Sequence, residues 1–204
     1  MVVMAIGGWG CVASDGGLDE CSAAVDEQFA AQERYLAIPP AGAGPDPAAA
    51  QALLATTART YPAAPSCSAE RAAWLAAERS YALAEADHEG HLEEYDDLME
   101  LAGAVPKYAE LVLFRQARSL RLAGRADEAI AIYEERKSPV AVQNDVGMAL
   151  SLEAVGDSAL AYWMWVDIHA RMATDVKSPL ARRIATQARE RMDALMGAAA
   201  RQKK

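Results

Sequence analysis

The chain has 204 residues, carries 29 Asp and Glu against 20 Lys and Arg for a formal net charge of −9, and is 52% hydrophobic although aromatics supply only 6%. That length suits one well-buried core rather than two independent ones. The acidic balance argues against general nucleic-acid binding, the basic end at 201–204 is too short to reverse it, and no apolar run approaches the ~20 residues of a membrane-spanning helix.

Much of the hydrophobic share is alanine, a strong helix former, and the Val/Ile/Thr alternation of strands is almost absent, so the expected fold class is all-α. Residues 1–9, MVVMAIGGW, are a short apolar segment followed by Gly10, Cys11 and a polar turn at Ser14-Asp15-Gly16-Gly17. This resembles the end of a bacterial lipoprotein signal, which implies lipidation at Cys11, with 1–17 as anchor segment and linker. A plain apolar tail has the same composition, and both readings stay open. With Cys11 lipidated, Cys21 and Cys67 remain as an even pair in an oxidising compartment, and a disulfide between them is expected to tie the first helix to the start of the third. In a reducing cytoplasm all three would instead be small buried apolar residues.

Proline and glycine punctuate the rest of the chain. A first helix is expected over 18–37, stopped by Pro39-Pro40 and the loop AGAGPDP, within which Asp46-Pro47 supplies the N-cap and first-turn proline of a second helix. That helix ends near Tyr61-Pro62, and Ser66-Cys67-Ser68 precedes a long third helix to about His88. Gly90, Gly124 and Gly156 then lie 34 and 32 residues apart, each between two helical segments, while Pro106, Pro139 and Pro179 open the helices beyond them. The openings Lys137-Ser-Pro-Val-Ala141 and Lys177-Ser-Pro-Leu-Ala181 are nearly identical, with Ser as N-cap in both. Counted from the glycine, Ala117, Leu120, Gly124, Ala129 and Tyr133 correspond one for one with Ala149, Leu152, Gly156, Ala161 and Trp165. Leu83, Ala86, Gly90, Tyr95 and Met99 form an earlier, looser copy.

This period and spacing resemble the tetratricopeptide repeat, whose helix–turn–helix units of about 34 residues carry small residues and an aromatic at these places. The resemblance covers 74–174 and implies units at 74–104, 105–137 and 138–174, stacked as a short right-handed solenoid within a single domain, 18–204, and capped by a helix at 179–200. Tyr95 departs from the pattern by standing where the family prefers Ala.

Candidate chemistry is sparse. In LAGRADEAIAIYEER, residues 122–136, the apolar Ala126, Ala129, Ile130 and Tyr133 share one helical face, so Asp127, Glu128, Glu134 and Glu135 are expected on the solvated side. Leu92, Tyr95, Met99 and Ala102 turn the acids of 93–100 outward in the same way. His88-Glu89-Gly90-His91 is one residue short of the zinc motif H-E-x-x-H, and the glycine breaks the helix such ligands need; no metal or cofactor is expected. No nucleophile and base stand together in any catalytic motif, so the chain does not read as an enzyme; an unrecognised site would need perturbed carboxylates clustered in a cleft. Trp163 and Trp165 leave the helix about 200° apart. Trp165 takes the packing position, and Trp163 is expected to meet the terminal helix rather than a partner.

In the resembling family the first helices of successive pairs line a groove for peptides. Carried onto this sequence residue by residue, the groove positions are Ser80, Ala84 and Asp87, then Phe114, Arg118 and Arg121, then Gln143, Val146 and Glu153, with Arg118 and Arg121 three residues apart as a clamp for an acidic side chain. The resemblance thus implies a non-catalytic scaffold that binds a protein or peptide partner, on the periplasmic side of a bacterial cell envelope if the lipid anchor is real. A cytoplasmic regulator or assembly factor using the same groove is the alternative. Partner identity and oligomeric state are not encoded in any motif.

Overall fold

The computed structural model describes residues 15–37, 46–86, 91–135, 142–175 and 177–202. Cys11, Asp87, His88, Gly90 and Pro139 lie outside the described residues. Nine α-helices occur among the described residues, and no strand: α1 (Asp15–Ala37), α2 (Pro47–Thr60), α3 (Ala69–Ala86), α4 (Glu94–Ala102), α5 (Pro106–Leu122), α6 (Ala126–Glu134), α7 (Val142–Val155), α8 (Ser158–Met172) and α9 (Pro179–Gln202). Local chemistry sets the ends. The Asp46 carboxylate accepts hydrogen bonds from the Ala48 and Ala49 amides at 2.8 and 3.0 Å, and the Ser178 hydroxyl oxygen accepts from Ala181 N at 3.1 Å. Between α2 and α3 runs a 3-10 segment, Tyr61–Ser66, where the sequence pattern alone suggests a plain break. Pro62 and Pro65 lack the amide hydrogens an α-helix would need there.

Gly124 and Gly156 end α5 and α7 with φ of 80° and 86°, the left-handed region that side chains avoid. Each closes the same pair of bonds: Gly124 N to Arg121 O and Arg125 N to Leu120 O, then Gly156 N to Glu153 O and Asp157 N to Leu152 O. The residue-for-residue match extends into the core. Ala117 and Ala149, Ala129 and Ala161, Leu120 and Leu152, Tyr133 and Trp165 are all buried. Tyr95, which stands where the other two units have alanine, is also fully buried. Its room comes from small neighbours such as Ala76, Ala77 and Ala102, and its hydroxyl lies 2.9 Å from Ser119 Oγ.

Every helix packs on the next in sequence, and α1–α3, α3–α5 and α5–α7 also approach closely, whereas the backbones of α2, α4, α6 and α8 stay apart from one another. The first two helices therefore continue the alternation of the later ones. Arginines tie neighbours together: Arg79, on α3, pairs with Glu94 at 2.9 Å and donates to Leu54 O and Thr57 Oγ1 on α2, each at 3.2 Å. Arg171 of α8 reaches Asp145 of α7 at 2.6 Å and also pairs with Asp167 one turn back on its own helix. Cys21 of α1 and Cys67, just before α3, are joined as a disulfide with Cα atoms 5.2 Å apart.

If the left-handed turns fix the hairpins, Gly124→Ala and Gly156→Ala should each lower the urea-unfolding free energy by about 1–2 kcal/mol. An unchanged midpoint in both would mean the turns relax without cost.

Candidate functional site

Where α3 meets α5 the side chains are small and the interface is closed. Ser80 and Ala84, expected to line a groove, are fully buried, and the Ser80 hydroxyl donates to Ala77 O at 2.7 Å while accepting from Arg115 at 3.1 Å. Neither can face a ligand. That corrects the expected groove at Ser80 and Ala84.

Further along, large side chains hold the helices apart. Phe114, Arg118 and Arg121 from α5 and Gln143 and Val146 from α7 come together around a cleft of about 230 Å³. Tyr133 of α6 forms its floor, with its ring tilted against Phe114 at 6.4 Å. The far wall belongs to α9, through Leu180, Arg183, Ile184 and Gln187. Sequence reasoning reads α9 only as a cap and misses this wall, although Leu180, Arg183, Ile184 and Gln187 recur at the spacing of a single helical face.

Glu153 is not part of the cleft. Its carboxylate accepts from Trp165 Nε1 at 2.6 Å and pairs with Arg191 of α9 at 2.7 Å, so it fastens the terminal helix instead of meeting a ligand. Gly147 lies directly beneath Tyr133: a Cβ placed there would collide with the phenolic oxygen. A glycine within α7 costs helix propensity, and the close approach of this ring is the reason for it.

The cleft is cationic on an acidic molecule. Among the described residues, no carboxylate lines it. Arg118 pairs with Glu85 of α3, but Arg121 has no carboxylate partner among the described residues, and its Nε is buried without a hydrogen bond. Burial pulls the Arg121 pKa down; the phenol of Tyr133 opposes this, while the like charges of Arg118 and Arg191 reinforce it. Guanidinium nonetheless stays charged at neutral pH. Burial also pushes the Tyr133 hydroxyl up to about 12, against the pull of Arg121 and Arg118, so it is a neutral donor.

The other candidates resolve differently. The acids at Asp127, Glu128, Glu134 and Glu135, like those at Glu93, Asp96, Asp97 and Glu100, are exposed, and Glu128 pairs with Arg125. No group of three or more His, Cys, Asp or Glu converges as metal ligands would among the described residues. Trp165 is fully buried, but Trp163 is 66% exposed. Leu195 and Met196 of α9 line one apolar hollow with Trp163, as expected of a ring that meets the terminal helix, yet most of the ring stays exposed and it rests edge-on against Tyr162 at 5.6 Å. One carboxylate, Glu78, is raised by burial, with Arg115 and the Gln28 and Gln32 amides pulling back. It sits in the core under α1 rather than in the cleft.

Adding a methyl at Gly147 should displace Tyr133, so Gly147→Ala is expected to cost about 1–3 kcal/mol and perturb the cleft, read from tyrosine fluorescence and urea unfolding. For Glu78 the sign comes from linkage. Between the ordinary carboxylate pKa and its raised folded value, the folded chain holds a proton the unfolded chain has released, so stability falls as pH rises through that interval. Glu78→Gln should remove that part of the slope in melting temperature measured from about pH 4 upward; an identical slope would show that Glu78 titrates normally. Against protein-family models, curated proteins and solved structures alike, the chain finds no match.

Proposed function

We propose that the chain is a non-catalytic, protein-binding scaffold, built as a tetratricopeptide-like stack of helix hairpins whose cleft between α5, α7 and α9 holds a segment of a partner protein. The cleft carries this reading: five residues chosen as groove positions from the repeat pattern alone, Phe114, Arg118, Arg121, Gln143 and Val146, line one recess. The equivalent burial of matched alanines and rings in successive hairpins, and the two identical glycine turns, support the repeat architecture. A recess of apolar walls with a few convergent polar groups suits recognition of side chains better than of a flat surface. The Cys21–Cys67 disulfide favours an oxidising compartment over the cytoplasm, in keeping with an envelope scaffold anchored through Cys11.

A photo-crosslinking amino acid placed at Gln143, on the exposed rim of the cleft, should capture a partner peptide in native envelope extracts, whereas the same group at the exposed, remote Ala58 of α2 should not. Equal capture at both positions, or none at Gln143, would remove the cleft as the binding surface.

A further inference from the structure

The lining of the cleft specifies its occupant more narrowly than a repeat pattern can. Of the four arginines in and beside it, two are neutralised within the chain, Arg118 by Glu85 and Arg191 by Glu153. Arg121 and Arg183 remain. Neither makes an ion pair among the described residues, and Arg121 Nε–H is a buried donor without an acceptor. A chain with nine more acids than bases has thus kept its described carboxylates out of a recess lined by two arginines, Arg121 and Arg183, that form no ion pair within it.

Resting on the scaffold reading, we infer that the occupant is an extended acidic peptide segment: one carboxylate bridges Arg121 and Arg183, and a neighbouring apolar side chain seats against Val146, Leu150 and Ile184. A carboxylate matches the planar edge of a guanidinium and accepts from its N–H groups. A basic or neutral segment would leave the half-buried charge of Arg121 uncompensated. Arg118 is then a structural tie between α3 and α5, and the clamp is formed by α5 with α9 instead of by two residues of α5.

The test is fluorescence anisotropy of the whole protein with labelled heptapeptides. GLELELG is expected to bind, and to weaken in high salt. GLKLKLG, with the charge reversed, and GSESESG, without the apolar side chains, are expected not to bind. Arg121→Gln and Arg183→Gln should each weaken GLELELG about tenfold, while Arg189→Gln, an exposed arginine elsewhere on α9, should leave it unchanged. Arg183 is exposed, so its variant keeps the test meaningful even where Arg121→Gln lowers the melting temperature. Equal binding of GLKLKLG, full affinity in both arginine variants, or no binding of GLELELG by a protein that still crosslinks through Gln143 would each overturn the acidic occupant and leave the scaffold standing. Loss of the Gln143 crosslink removes the cleft itself as the binding surface.

Discussion

How closely two helices approach is decided by the side chains between them, and in this chain alanine decides it. From Ala72 to Ala84 the third helix is buried on nearly every side, because α1, α2, the 3-10 segment, α4 and α5 all pack on a rod rich in alanine. Such contacts are individually weak and act by number, which is how a chain with so few aromatics forms a core. Three large buried rings are correspondingly fixed: Tyr95 by Ser119, Trp165 by Glu153, Tyr133 by the missing side chain of Gly147.

The same rule opens the cleft. Where α5 faces α7 the residues are Phe, Arg and Val instead of Ala and Ser, and no Cα of α9 comes within 8 Å of one in α5 or α7. The space between the backbones is filled only partly by the side chains that line it. Closed packing in the first half and open packing in the second are thus two outcomes of one variable, side-chain size at the contacts between alternate helices.

Much of the helical layout was legible in the sequence, because proline and glycine act locally. Asp46, Pro106, Ser178 and Pro179 mark helix starts whatever lies around them, and Gly124 and Gly156 mark the turns. The matched alanines and rings were legible for a related reason, since they recur at a fixed period. What escaped depends on tertiary neighbours. Ser80 falls on the expected face of its helix, yet α5 lies against it. Glu153 has the right periodicity for a groove, but Trp165 and Arg191 reach it first. Trp163 does meet the terminal helix, but on one side only, and how much of the ring stays exposed depends on the path of α9. The wall supplied by α9 had no repeat partner to reveal it.

Glu153 joins three parts of the molecule at one carboxylate: the end of α7, the ring at the heart of α8, and Arg191 midway along α9. α9 meets α7 through side chains rather than backbone, with Ile184 and Ala188 in one apolar cluster with Ala149, Val146 and Leu150. Whatever displaces that one carboxylate is therefore felt on α7, α8 and α9 together, including the face of α9 that lines the recess.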